Sequence, residues 1–243
     1  MHNRYWAAID IGNTHIKIGI PSSDGLNIFR VDSVEEALAQ LRHAKVSHAI
    51  VASVRNNNTQ LFEQLNAANI TSLPFTAAMP LPFKPSYQGR PGADRLAAAY
   101  WAWKRISEVS AALIIIIGSC ITYTLLNRKQ WLDGAISPGL TMRLRAMHHF
   151  TDRLPQVQLP KSQDLSTTPA LSTTASLQKG ALHGVIHEVK GFIHQWQAIH
   201  PHLQIYLSGG DALYICHHIS DAEHVTEVVV RGLLEYVHDH VLD

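Results

Sequence analysis

Residues Tyr5–Ile20, YWAAIDIGNTHIKIGI, decide how this chain is read. A short apolar run, Ala7 to Ile11, carries one acid, Asp10, near its end. The backbone then turns through Gly12, Asn13 and Thr14, and His15 to Ile20 alternates polar with apolar residues. Two such runs joined by Gly-Asn predict a β-hairpin with Gly12-Asn13 at its tip. An acid at the end of the first strand can hold a hydrated magnesium ion. Thr14 offers a hydroxyl, and the turn offers backbone N–H groups to a phosphate. An isolated Asp-x-Gly would read as an ordinary surface hairpin. The full Asp10-Ile11-Gly12-Asn13-Thr14, followed by His15, Ile16 and Lys17, is more specific.

The whole chain bounds what surrounds that hairpin. Its 243 residues suffice for one large domain or two small ones with real cores. A hydrophobic content of 46% against 16% charged residues fits a globular protein rather than a disordered one. A net charge of +1 gives no electrostatic footprint for nucleic acid or anionic lipid. Cys120 and Cys216 show neither metal-ligand spacing nor a disulfide framework, which suits a reducing cytoplasm. The N-terminal apolar run ends at Asp10, so no signal peptide is expected. The longest apolar run, Ala111 to Ile117, falls far short of the ~20 residues a membrane span needs.

Along the chain, Asn27 to Val31 predicts a third strand. Ser33 followed by Glu35-Glu36 and the periodic Val34, Ala37, Leu38, Leu41 predicts a capped helix. Ser47 to Val54 reads as a buried strand, and Thr59 to Ala68 as a second helix after an Asn56–Asn58 turn. Pro74 to Pro85 reads as an extended loop. It leads through Ser86-Tyr87 into Gly89 to Arg95, where two glycines, a proline, an acid and two arginines crowd together before a helix from Leu96 to Ile106. Helix N-termini and arginine forks both suit anions, whereas an ordinary N-cap needs only Asp94. Ala111 to Ile117 predicts a fully buried strand, turned by Gly118-Ser119-Cys120 and returning over Ile121 to Leu126. This repeats the opening hairpin, so the chain reads as internally duplicated. Helices are expected from Thr141 to Phe150, after Thr173 to about His200, and near Glu227 to His240. A strand, Ile205 to Leu207, leads into Gly209-Gly210.

Five segments in this order resemble the motifs of type III pantothenate kinases, a family of the acetate and sugar kinase, heat-shock chaperone and actin superfamily. They are Asp10 to Lys17, Gly92-Ala93-Asp94-Arg95, Gly118 to Thr122, Asp133 to Gly139, and Thr173 to Gly180. The resemblance implies an α/β fold of two duplicated RNase H-like (actin-like ATPase) units with a cleft between them. It places the first unit at 1–109, with the Asp10 hairpin and the Asp94 base, and the second at 110–243, with the second phosphate and adenosine motifs. It implies ATP-dependent phosphorylation of pantothenate to 4′-phosphopantothenate, the first step of coenzyme A synthesis. Asp94 would be the general base. Asp10, Ile11, Gly12, Asn13, Thr14, His15, Ile16, Lys17, Ser119 and Thr122 would form the ATP and phosphate contacts, with magnesium on Asp10. Tyr87, Gly92, Ala93, Asp94, Arg95 and Thr173 would meet pantothenate. Thr173 would act near the interface of a homodimer, although an N-cap role for it is equally compatible with its position.

The resemblance also contains a departure. Where the family usually carries an Asp associated with a monovalent cation, two residues before Gly118, this chain has Ile116; where a second acid often follows, it has Thr124. Isoleucine cannot ligate an ion, so the family's K+ or ammonium site lacks its usual carboxylate here. A catalytically weakened or non-catalytic regulatory protein on the same fold is the alternative reading. An RNase H-like nuclease would need several carboxylates around two metals, and the second unit's opening strand supplies none. A filament-forming ATPase is disfavoured by the short chain.

Overall fold

The computed structural model describes residues 5–55, 58–85, 88–160 and 169–242. Tyr87 therefore lies outside the described residues. The chain divides into two compact units. The first comprises Met1–Arg105, Lys129–Trp131 and Glu227–Asp243, and the second Ile106–Arg128 and Leu132–Thr226.

In the first unit, β1 (Trp6–Ile11) and β2 (Ile16–Ser22) form the expected hairpin, and β3 (Gly25–Val31) extends it antiparallel. Strands β4 (His48–Ser53) and β5 (Thr71–Pro74) add in parallel on the other side, giving the order β3-β2-β1-β4-β5. The β1 side chains alternate. Ala7, Ile9 and Ile11 join a core with Leu38 and Leu41 of α1 (Val34–His43) and with Leu61 and Leu65 of α2 (Thr59–Ala67). Helix α1 starts where Ser33 Oγ accepts the Glu36 backbone N–H at 3.1 Å, while Glu36 reaches back to the backbone N–H of Asp32. The opposite face of the sheet meets α6 (Val228–His240), which also packs on α3 (Ala93–Trp103).

Two glycines set how closely α6 approaches. A β-carbon at Gly19 of β2 would fall 2.1 Å from Val230 Cγ1, and one at Gly232 would fall 2.0 Å from the carbonyl oxygen of Ala97 in α3. This close fit assigns the last helix to the first unit. A single break between residues 109 and 110 does not describe that return of the chain. The α3–α6 seam is completed by Tyr100 Oη donating to Asp239 at 2.7 Å and by a bidentate Arg105–Glu235 pair.

The second unit repeats the topology. Strands β6 (Ala111–Ile117), β7 (Cys120–Asn127) and β8 (Trp131–Pro138) form the meander, and β9 (Leu203–Ser208) and β10 (Ala222–His224) complete the order β10-β9-β6-β7-β8. Leu113, Ile115 and Ile117 of β6 pack with Tyr123 of β7 and with Val185, Val189 and Ile193 of α5 (Thr173–Gln197). Helix α4 (Leu140–His149) packs on α5. Each unit is thus an RNase H-like α/β layer, the duplicated actin-like arrangement.

Replacing Gly232 by alanine drives a methyl group into backbone rather than into a flexible side chain. Over-packing of this kind typically costs ~1–3 kcal/mol. That exceeds the roughly 1 kcal/mol by which alanine outranks glycine in a helix. Gly232→Ala is expected to lower the urea midpoint of unfolding, read by far-UV circular dichroism; an unchanged midpoint would show that α6 can retreat freely.

Candidate active site

Asp10 is the fifth residue of β1, on the face that meets α6. Its cross-strand partner is Lys17, with Ala52 of β4 on the other side. Only 7% of Asp10 is exposed. Among the described residues it takes part in no ion pair within 4 Å. Burial pushes its pKa up to about 7. Lys17 pulls it down, and the carboxylates of Asp94 and Glu227 push it up further.

Asp94 lies in the first turn of α3, whose N-cap is Gly92. Its carboxyl pKa is also raised, chiefly by burial, against a hydrogen bond from the backbone N–H of Arg95 and the positive charge of Arg95. The carboxylate folds back over the cap: a β-carbon at Gly92 would lie 2.4 Å from Asp94 Oδ1. A side chain at position 92 would displace the Asp94 carboxylate from this position, and Ala93 opens the helix three residues earlier than the periodicity from Leu96 indicates. Arg95 is buried, with its guanidinium carbon 4.8 Å from the centre of the Trp131 ring.

The hairpin tip is closed by the Gly12 N–H donating to the His15 carbonyl at 3.1 Å, leaving Asn13 and Thr14 exposed. Ile11 and Ile16 are core residues. His15 turns its Nδ1 to Asp32 Oδ1 at 2.5 Å. Lys17 is drawn the other way, with its Nζ 2.5 Å from Glu227 Oε2. That oxygen is buried and takes no hydrogen bond of regular geometry, so the contact is an ion pair set by proximity. Glu227 precedes α6 with φ 52 and ψ 50, a left-handed backbone that costs a non-glycine residue ~1–2 kcal/mol. Gly19 admits Val230, and Glu227, three residues before Val230, thereby reaches Lys17, two residues before Gly19.

Two residues of this site escape sequence reading. Glu227 reads as a helix start, and Arg55 falls between the predicted strand and the Asn56–Asn58 turn. In the structure Arg55 Nε donates to the Gly12 carbonyl at 2.9 Å. The only sequence signal for either is a charge beside a predicted turn, which is common.

In the second unit the turn after β6 is built by backbone closeness. The Gly118 N–H donates to the Cys120 carbonyl at 3.1 Å, and the Gly139 N–H to the Ser119 carbonyl at 3.1 Å. A β-carbon at Gly139 would stand 2.0 Å from the Gly118 oxygen. Gly209, at φ +101, lies against Ile117, whose carbonyl accepts the Asp211 N–H at 3.0 Å. The second phosphate motif, the Ser137-Pro138-Gly139 segment and the Gly209-Gly210 segment thus meet at the end of β6. Glu188 of α5 braces this corner. It accepts from Tyr123 Oη at 2.7 Å and from Ser137 Oγ at 2.5 Å, and pairs with Arg143, which itself donates to the Pro138 carbonyl at 2.8 Å. Ile116 stands opposite Thr122, and the buried Thr124 opposite Ile114. Thr173 is exposed as the first residue of α5. The N-cap is Ser172, whose Oγ accepts the Ala175 N–H at 3.1 Å.

The type III pantothenate kinase family profile matches residues 7–195. A relative described as a type III pantothenate kinase, from Cytophaga hutchinsonii, is 32% identical over 206 residues, covering 84% of this chain and 86% of its own. Among solved structures, a Campylobacter jejuni protein described as a Baf family transcriptional activator superposes with a TM-score of 0.63 at 20% identity. The match covers 96% of this chain and 98% of that one. A Sinorhizobium meliloti protein described as a 2-dehydro-3-deoxygalactonokinase gives 0.58 at 12% identity, covering 98% of this chain and 100% of that one. At these identities the two structures speak to fold alone.

An acid whose folded pKa lies above its unfolded value of 3.8 binds its proton more tightly in the folded state. The stability it supports is full at low pH and is lost as pH rises toward about 7. Asp10→Asn is therefore expected to raise the stability of the ligand-free protein at pH 7 and above, by ~4 kcal/mol at most. It should also flatten the fall in melting temperature between pH 4 and pH 7. A variant melting below the native protein at pH 7.5 would show that Asp10 is not the strained group.

Proposed function

From the premise that the chain belongs to the type III pantothenate kinase family and phosphorylates pantothenate in coenzyme A biosynthesis, we propose that Asp10 holds the nucleotide's divalent cation and Asp94 is the general base. The supporting observation is that the buried Asp10 and the half-buried Asp94, on elements distant in sequence, lie close enough for the charge of Asp94 to push the pKa of Asp10 up. Asp10 fits a cation. It is buried, takes part in no ion pair within 4 Å among the described residues, and its burial cost would be relieved by a cation beside it. Magnesium on Asp10, when bound with ATP, neutralises charge on the phosphoryl oxygens.

The remaining steps belong to the chain's own residues. Asp94, made more basic by partial removal from water, accepts the proton of the pantothenate primary hydroxyl as that oxygen bonds to the terminal phosphorus of ATP. The bond from that phosphorus to the bridging oxygen breaks, leaving ADP and 4′-phosphopantothenate. The backbone of Gly12 to Thr14, with Ile11 and His15 to Lys17 around it, forms the phosphate hairpin of the first unit. Ser119 and Thr122 supply phosphate contacts from the second. Tyr87, Gly92, Ala93 and Arg95 contribute to the pantothenate contacts. Arg95 does so from the Trp131 side, with its guanidinium already oriented. Thr173, exposed at the start of α5, meets substrate near a homodimer interface. Ile136, Met142, Phe150 and Leu171 are large exposed apolar side chains of the second unit that a second copy can cover. The two free cysteines support a cytoplasmic location.

The test is a coupled ADP-release assay with ATP, magnesium and pantothenate. Asp94→Asn is expected to lower kcat by ~10²–10⁴-fold with an unchanged circular dichroism spectrum; near-normal turnover removes Asp94 from the base role. Because the Ile116 side chain offers no oxygen, turnover is also expected to be the same with and without K+ or ammonium. A several-fold rise with K+ would show that a monovalent ion acts without a side-chain carboxylate at position 116.

A further inference from the structure

A triphosphate is bound more strongly where positive charge meets it, and in the first unit the lysine of the phosphate motif is already committed. Lys17 Nζ is paired with Glu227 at 2.5 Å, and both side chains are about four-fifths buried, at 18% and 22% exposed. An ammonium so neutralised has little charge left for a nucleotide. His15 is likewise held by Asp32. Arg95 is directed onto Trp131.

Arg55 differs. It follows β4, with its own backbone fixed on both sides. Its N–H donates to Ser53 Oγ at 3.1 Å, and its carbonyl accepts from Asn58 Nδ2 at 2.9 Å. Ser53 Oγ in turn donates to Asn58 Oδ1 at 2.7 Å. The Arg55 side chain lies against the hairpin, with Nε donating to the Gly12 carbonyl. A guanidinium is planar and rigid, so anchoring Nε fixes the direction of the two terminal nitrogens. Among the described residues, no ion pair engages them.

We propose that Arg55 is the cation that meets the phosphate oxygens of ATP at the first hairpin, in place of Lys17. Lys17, with Glu227, instead positions the second strand of that hairpin. The inference rests on the reading of Asp10 to Thr14 as a phosphate hairpin and adds to it the residue that supplies charge. A guanidinium pre-oriented by the turn can offer two parallel N–H groups to phosphate oxygens, the geometry in which arginine is strongest.

The test compares Arg55→Met, Arg55→Lys, Lys17→Met and Asp10→Asn in the ADP-release assay, with thermal melting of each variant. Loss of a charge-assisted contact predicts that Arg55→Met raises KM for ATP, or lowers kcat, by roughly tenfold or more. KM for pantothenate should stay within about twofold, since only the phosphate end is touched. Arg55→Lys should recover only part of the loss, because lysine cannot keep the Gly12 bond and offer a fork as well. Millimolar guanidinium ion should restore activity to Arg55→Met, which a merely structural role would not allow. Lys17→Met should change KM for ATP less than Arg55→Met does. Native-like kinetics of a folded Arg55→Met, or a larger ATP defect in Lys17→Met, overturns the proposal. If Arg55→Met fails to fold, a fully active Arg55→Lys overturns it, and an ATP-specific defect there supports it. Asp10→Asn separates the two levels. If it too leaves ATP kinetics unchanged, the phosphate reading of the hairpin fails; if it is inactive while Arg55→Met is normal, the failure is that of Arg55 alone.

Discussion

A carboxylate at the buried end of a strand is the constraint on which the first unit depends. Removing an ionised group from water costs several kcal/mol unless charge or hydrogen bonds replace the solvent. Asp10 takes part in no ion pair within 4 Å among the described residues; Lys17 offsets part of the cost, and two further carboxylates lie close enough to oppose its ionisation. Packing alone would favour an apolar residue here, since Trp6 to Ile11 is otherwise a continuous core strand. The strain is tolerated because β1 is the central strand, hydrogen-bonded on both sides by β2 and β4. Such a strand gives a carboxylate a fixed position, which phosphoryl transfer requires more than it requires chemical variety.

Glycine does the corresponding work in both units, by different means. In the first, Gly19 and Gly232 remove side chains so that a helix can descend onto the sheet and onto α3. The consequence is electrostatic, because the descent delivers Glu227 to Lys17. In the second unit, Gly139 and Gly209 remove side chains so that loop backbone can close on the end of β6, and the Glu188–Arg143–Ser137 network holds the result. One topology is thus adapted twice, once to place charges and once to close loop backbone on a strand end.

Much of this was legible in the sequence, for identifiable reasons. The β1–β2 and β6–β7 hairpins follow from apolar runs around a glycine turn, and β6 has the bounds that its apolar run predicts. The Ser33 cap is local and was readable as such. Strands β5 and β10 were not expected. They are four and three residues long, one ends in a proline and the other holds Glu223 and His224, so neither shows a period. Asp94 and Gly92 were legible as a motif, but the carboxylate folding over the glycine was not. Arg55 and Glu227 were missed because their partners, Gly12 and Lys17, lie 43 residues away for the first and on the far side of the second unit's sequence for the other. No periodicity encodes a contact of that range. The same holds for α6, whose membership of the first unit depends on two glycines fitting against other elements.

The charge balance of the first unit bears on the form in which a nucleotide can enter. Asp10, Asp94 and Glu227 bring three carboxylates together, and Lys17 is spent on one of them. A bare triphosphate approaching that group meets like charge in a partly dehydrated setting, where repulsion is poorly screened. A triphosphate carrying its divalent cation meets the reverse. On the proposed reading, the cation would sit beside a carboxylate that takes part in no ion pair within 4 Å among the described residues, and its charge would lower the pKa of Asp10. The raised pKa of Asp10 and a preference for a cation-bound nucleotide would then have one cause, the cost of ionising a carboxylate buried among other carboxylates.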